Sequence, residues 1–425
     1  MTTAIPMSLL ADTAAVTVDG SLSIGGCSVV ELAEAYGTPL FIYDEAHLRS
    51  RCREAVQAFG HQNVVYASKA FLCKAMATLV YEEGLLLDVS TGGELHIVLS
   101  AGVPASACIM HGNNKSMHEL RAALIAGVRN IVVDSFDEMD RLDVLHEEGF
   151  PKPEVLLRIT PGVHAHTHEF IATGQDDSKF GFNLGNGDAI RAVDRARRSP
   201  SMHLVGLHCH IGSNVFAAAS FAKAAEVMAN FATPLDLPEL VLGGGLGVAY
   251  TSGEEAPTIG QWGSVLLDAC AALCVRSRVS VEPGRSIVAS AALTVYTVGT
   301  VKHIPGIRTY VAVDGGMSDN PRPVLYASGY EAFLPRDVAA ERPRSARLVG
   351  KHCESGDVLI FEAALPDDIR VGDLLATPVT GAYGHSMGSN YNKVTRPPVV
   401  FVSDGQARLV VRRETYDDLL ACDLG

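Results

Sequence analysis

Eight short apolar runs, spread over residues 63–284 with helical stretches between them, constrain this chain more than any other feature. They are NVVYASKA from Asn63, LLLDVST from Leu85, ACIMHG from Ala107, NIVVDS from Asn130, EVLLRIT from Glu154, LVGLHCH from Leu204, ELVLGGG from Glu239 and RVSVEPG from Arg278. Their apolar character is continuous rather than alternating, which suits strands buried on both faces of a parallel sheet. The stretches between them carry helix signals. SMHELRAALIAGV opens on Ser116 with Glu119 three positions on, a capping box. SFDEMDRLDVLHEEG from Ser135 opens in the same way and stops at Gly149. Eight strand–helix units predict an α/β fold, a (β/α)8 TIM-like barrel. The alternative is an open sheet with a dinucleotide site. GGGLGVAY excludes it, because the last glycine of G-x-G-x-x-G would fall on Val248 or Tyr250.

The pattern changes after about residue 290. LTVYTVGTVKHI, RTYVAVDGG, ARLVGKHCESGDVLIF, DLLATPV, VVFVSDG and ARLVVRRE read as strands joined by turns, an all-β domain. The barrel is placed at 45–290, and residues 1–44 plus 291–425 form the β-domain. GCSVVELAEAYGTPLFIYDE, which precedes the barrel, is expected to offer it a further strand.

Hydrophobic residues at 48% and charged ones at 19% supply a full core and argue against disorder. The net charge of −14 disfavours nucleic acid and anionic membrane surfaces as partners. No signal peptide or membrane-length apolar run is visible. The nine cysteines form no Cys-x-x-Cys pair and no zinc spacing. The expectation is a cytoplasmic enzyme without a metal site. HAHTH, carrying His164, His166 and His168, is read as a loop without ligand geometry, and His111 as a core histidine.

Chemistry in such barrels gathers at the strand ends. Each end here carries a polar group or a glycine run. In order they are Lys69; Asp88 with Glu94; His111 with Asn113; Asp134; Arg158; His210 with Ser213; Gly243, Gly244 and Gly245; and Glu282 with Arg285. Taken singly these are bland. Lys69 alone reads as a snorkelling lysine and Cys353 as a small buried hydrophobe. The succession is what matters. The last two ends are the usual phosphate position, where the glycine amides and the EPGR segment can receive an anion. A lysine across a partly desolvated pocket has a lowered pKa and can form a Schiff base with an aldehyde. Pyridoxal 5'-phosphate has both the aldehyde and the phosphate. Glu282 then suits the pyridine nitrogen, His210 the ring face and Arg158 the ring oxygen.

YASKAF, LDVSTGGEL, HGNNKS, SKFGF, HCHIGSN, GGGLG, EPGR, PRPVLY, CESGD and GAYGHSMGSNYN follow one another in family order over nearly the whole chain. With them the sequence resembles the fold-type III pyridoxal-phosphate decarboxylases, most closely the branch acting on diaminopimelate. The resemblance implies a barrel plus β-domain and a homodimer with shared active sites. It implies that Lys69 is the Schiff-base lysine, His210 the ring-stacking histidine and Glu282 the pyridinium partner; of the strand-end residues, Arg158 is a further cofactor candidate, and Asp88 is one as well, or else a barrel-rim ion pair. Ser213, Gly245, Gly284, Arg285 and Tyr383 match positions at the phosphate or its surroundings, and the glycine run adds Gly244 as a cofactor-binding candidate. Arg285, Arg322, Tyr326, Glu354 and Tyr383 match positions that contact substrate. Cys353 matches the proton donor that, with Glu354, reaches the neighbouring subunit's site. His385, Gly388 and Ser328 depart from the usual residues near the substrate end.

The implied reaction turns meso-2,6-diaminopimelate into L-lysine and CO2. Arginine grips a carboxylate bidentately, so PRPVLY favours a substrate with a distal carboxylate. The alternatives are a decarboxylase of ornithine, arginine, carboxynorspermidine or a carrier-linked amino acid, and a non-catalytic pyridoxal-phosphate-binding homologue.

Overall fold

The computed structural model describes residues 4–163 and 174–425. The HAHTH histidines lie outside them. The chain divides into two compact units. One comprises Arg51–Gly247 and Ala256–Ser286; the other comprises Met1–Ser50, Val248–Glu255 and Ile287–Gly425.

The first unit is the barrel. Its strands are β1 (Val65–Ala67), β2 (Leu86–Val89), β3 (Cys108–Met110), β4 (Asn130–Val133), β5 (Glu154–Thr160), β6 (His203–His208), β7 (Glu239–Val241) and β8 (Arg278–Ser280). They pair in parallel and in chain order. The ring closes between its ends. Val65 N–H donates to Val281 O at 2.8 Å, Val281 N–H to Asn63 O at 2.9 Å and Ala67 N–H to Pro283 O at 3.0 Å. Most strand residues are buried, as the continuous apolar runs require.

The capping signals hold, with one instructive difference. Ser116 and Glu119 form the full capping box, and Gly127 ends that helix in the left-handed region at φ 75°. Ser135 caps its own helix from Glu138 N–H. The Glu138 carboxylate, however, turns inward. It accepts from Asp134 N–H at 3.0 Å and pairs with Lys115 Nζ at 2.7 Å, both side chains being buried. Lys115 also donates to the Gly112 and Val132 carbonyls, so the buried charge is fully partnered.

The second unit is built on an eight-stranded sheet. Its main path runs Val358–Leu365, Arg344–Val349, Arg308–Val313, Ala292–Ile304, Leu40–Asp44, Val399–Ser403 and Gln406–Val411, and Leu374–Pro378 also pairs with Ala292–Ile304. The N-terminal strand therefore does not extend the barrel. Leu40–Asp44 inserts between Ala292–Ile304, antiparallel, and Val399–Ser403, parallel. The physical reason is closure: a ring joined from β8 to β1 has no edge to offer. Val248–Glu255 also belongs to this unit, held by Ser252 N–H and Oγ on Glu331 Oε1 at 3.1 and 2.9 Å.

This unit buries an acid. Asp319 accepts from Tyr296 Oη at 2.6 Å and from Gly316 N–H at 2.8 Å, yet burial pushes its carboxyl up to about 7. A folded-state pKa raised above the ordinary 3.8 means the fold prefers the protonated acid. The stability this adds is complete below about pH 4 and is lost as pH rises through about 7. Asp319→Asn should therefore flatten the fall in thermal stability between pH 6 and 8, a fall on the order of 1 kcal/mol in the parent. Parallel melting profiles for parent and variant would refute this.

Candidate active site

The C-terminal ends of β3, β6 and the β8 strand converge on one carboxylate. Glu282 is buried, and its Oε2 lies 2.8 Å from His208 Nε2. Its Oε1 lies 3.1 Å from His111 Nε2, a distance that suits an ion pair, although the two are not aligned as a hydrogen bond. The two imidazoles meet edge to face, 5.1 Å between centroids at 71°. Burial works against the Glu282 charge, but His208 and His111 outweigh it and hold the carboxyl well below its ordinary range. Burial pulls His208 down. For His111, burial is outweighed by Asp88 and Glu282, which raise it.

Neither His208 nor His111 is among the residues the sequence assigned to the site. The signal for His208 was present. In HCH the alternation of a strand puts His208 and His210 on one face, and only the second was chosen. His111 was recognised as a strand-end residue but read as core. With Glu282 these two bring three potential ligand atoms within 4.8 Å.

A second cluster lies at β2, β4 and β5. Arg158 is buried, with Nη1 3.6 Å from Asp134 Oδ2 and its guanidinium 4.2 Å over the Phe180 ring. Burial lowers its pKa, opposed by Asp134, Glu282 and Asp88. Asp134 also accepts from Gly181 N–H at 2.6 Å, which ties the SKFGF loop to the strand end. Asp88 is buried, and its carbonyl accepts from Ser68 Oγ. Glu94 accepts from Ser90 N–H at 2.5 Å; its pKa is raised by burial and by Asp88 and lowered by Lys69 and His111.

Lys69 follows β1 on a single tight turn, Ser68–Ala70, between buried neighbours. Its own side chain is exposed in the single chain. What surrounds it is charge, since both Glu94 and His210 respond to it.

Part of the set expected at the phosphate meets within the barrel unit. Arg285 Nη2 donates to Ser213 Oγ at 2.8 Å. Gly244 N–H donates to His210 Nδ1 at 3.3 Å. Desolvation, more than the charges of Lys69 and Arg158, holds His210 well below its ordinary value, although part of the residue keeps solvent access. The glycine run leaves no room for side chains. A Cβ on Gly244 would stand 2.0 Å from Glu282 O, and one on Gly245, at φ 104°, 2.1 Å from Gly212 O. Gly284 packs against Ala67, which a Cβ would meet at 2.9 Å.

In the sheet unit, Arg322 is buried at the start of the short helix Arg322–Tyr326. Its Nη1 donates to Tyr330 Oη at 2.6 Å, and its guanidinium lies 4.1 Å over the Tyr250 ring. Among the described residues its charge is balanced by tyrosines, Tyr330, Tyr250 and Tyr383, rather than by a carboxylate, and its Nε has no hydrogen-bond partner. Tyr250 and Tyr330, which hold it, were not foreseen. Tyr326 and Tyr383 are half-buried, Tyr383 in the left-handed region at φ 61°. Cys353 and Glu354 are exposed in the single chain, and Cys353 N–H donates to Asn392 Oδ1 at 3.0 Å. His385 is a core residue. Its ring meets Phe41 edge-on at 5.8 Å, and burial pulls its pKa down to about 3, so it packs as a neutral aromatic.

A closed parallel barrel with a buried carboxylate, an arginine–serine pair and a strand-end lysine has the groups needed to hold an aldehyde that carries an anionic group. The chain belongs to the pyridoxal-dependent decarboxylases, whose pyridoxal-binding domain matches residues 45–289. Within that family it is similar over almost its whole length to diaminopimelate decarboxylases. It is 47% identical over 420 residues to that of Bacillus subtilis, covering 95% of each chain. It is also 47% identical over 425 residues to that of Mycobacterium tuberculosis, again covering 95% of each. Among solved structures, the diaminopimelate decarboxylase of M. jannaschii shares 31% identity with a TM-score of 0.90, over 97% of this chain and 98% of that one. That of Helicobacter pylori, complexed with L-lysine, shares 29% with a TM-score of 0.85, over 92% and 98%.

Membership implies pyridoxal phosphate, and the barrel residues fit it. Glu282 keeps a buried Oε1 with no hydrogen bond, an acceptor for a pyridinium N–H. Arg285 and Ser213 supply a cation and a hydroxyl for an anion. No helix among the described residues is long and apolar enough to cross a membrane.

Proposed function

We propose that this enzyme decarboxylates meso-2,6-diaminopimelate to L-lysine, with pyridoxal 5'-phosphate as cofactor. The near full-length 47% identity to the B. subtilis enzyme carries this reading, and the geometry supports it. Bound pyridoxal phosphate supplies the aldehyde that captures the substrate amine and the electron sink that receives the pair left by departing CO2. Lys69 holds the cofactor. Glu282 keeps the pyridine nitrogen protonated, and the neutral His210 lies against the ring. Ser213, Gly244, Gly245, Gly284, Arg285 and Tyr383 hold the phosphate and its surroundings, with Asp88 and Arg158 beside the ring substituents. Arg322, braced by Tyr250 and Tyr330, grips a substrate carboxylate, and Arg285, Tyr326 and Tyr383 complete the substrate contacts. The chain acts as a homodimer in which Cys353 protonates the product carbon in the neighbouring subunit's site and Glu354 binds the distal ammonium there.

The test is product analysis with pyridoxal phosphate and meso-diaminopimelate, with ornithine and arginine in parallel. Lysine and CO2 from diaminopimelate alone are expected. Turnover of ornithine or arginine instead would move the substrate within the family.

A further inference from the structure

The hydrogen bond between His208 and Glu282 has a direction that the geometry itself fixes. An ionised carboxylate only accepts, so His208 Nε2 must carry the proton it shares with Oε2 at 2.8 Å. The other ring nitrogen, Nδ1, is buried and has no hydrogen-bond partner. As an N–H it would be a stranded donor; as a bare lone pair it costs less. His208 is therefore the neutral Nε2–H tautomer, a fixed donor of a single bond. It comes from β6, whose backbone pairs with β5 and β7 on its two sides, so the ring is anchored on a rigid element. His111 faces the other oxygen at 3.1 Å without hydrogen-bond alignment. One carboxylate oxygen thus has an aligned donor, while the other faces His111 as an ion pair and lacks one.

We propose that His208 is a positioning residue: its Nε2–H fixes Glu282 Oε2, sets the plane of the carboxylate and leaves Oε1 as the oxygen that receives the cofactor's ring N–H. The inference rests on the cofactor reading above and adds to it the residue that orients the carboxylate. A carboxylate able to rotate would hold the ring nitrogen in many geometries; one pinned at Oε2 holds it in one.

The test compares His208→Leu and His208→Gln with the parent holoenzyme. The Gln amide N–H can occupy the place of Nε2–H; Leu has no donor. Three quantities are read: the pyridoxal-phosphate dissociation constant by absorbance titration, the visible band of the lysine-held cofactor, and kcat with KM for diaminopimelate. For His208→Leu a shifted band is expected, with cofactor affinity and kcat each lower by roughly ten- to a hundredfold, the effect of a lost hydrogen bond to a charged group. KM should move much less. His208→Gln should recover most of both losses. If His208→Leu fails to fold, His208→Asn replaces it, because its shorter amide reaches the Nδ1 rather than the Nε2 place; Asn impaired and Gln restored is then the expected pair. A parental band and affinity in the donor-less variant, or a Gln variant as impaired as Leu, overturns the inference. So does activity that chelation abolishes and a divalent cation restores, since His111, His208 and Glu282 would then be ligands. A parent that takes up pyridoxal phosphate with no visible band fails at the earlier step, the cofactor reading itself.

Discussion

Lys69→Ala should lose the visible band of covalently held pyridoxal phosphate and, with it, turnover by about four to six orders of magnitude. The fold should not notice. Lys69 lies on the tight turn after β1 with its side chain exposed, and its buried neighbours keep their own hydrogen bonds in the variant. Ser68 Oγ still donates to Asp88 O, and Tyr66 Oη still donates to Phe71 O at 2.7 Å. Exposed side chains contribute within about 0.5 kcal/mol of nothing to stability. The thermal midpoint of the apoprotein should therefore match the parent's. An intact visible band in the variant would remove Lys69 from its role. A large drop in melting temperature would make it a structural lysine.

Arg322→Ala should lower kcat/KM for diaminopimelate by about a hundredfold while leaving the cofactor band in place. A bidentate guanidinium–carboxylate contact in a buried setting is worth about 1.5–3 kcal/mol. The guanidinium is held ready for such a contact, stacked on Tyr250 and bonded to Tyr330, with tyrosines rather than a carboxylate around it among the described residues. Arg322→Lys should recover only part of the loss, because an ammonium keeps the charge without the planar fork. Tyr330→Phe removes one brace and should cost a few-fold. Equal losses of substrate and cofactor binding in Arg322→Ala would mean the residue supports the fold instead.

The barrel was legible because a strand buried on both faces has a sequence signature that survives without context. The sheet domain's strands were legible one by one, but not their order. Nothing local in LFIYD announces that its neighbours lie about 250 and 360 residues further along. At the site, residues that close a strand stood out as Lys69, His210 and Glu282 did. His208, one step inside β6, was hidden because a histidine within an apolar run looks like packing until its partner is known. That partner is 74 residues away. Tyr250 was hidden for the same reason: its role comes from Arg322, and the segment carrying it departs from the barrel to join the sheet unit.

The place of Leu40–Asp44 in its sheet has a consequence for how the molecule is made. Its two flanking strands begin at Ala292 and Val399, so a nascent chain leaving the ribosome carries an almost wholly apolar strand with neither edge covered until the first of them has emerged. The barrel, complete once Ser286 has emerged, can form in the meantime. The sheet must wait until Val399–Ser403 has emerged, and its assembly carries the closure cost of a loop of about 355 residues. Truncations near the C-terminus should accordingly release aggregation-prone protein with a sound barrel rather than an unfolded chain.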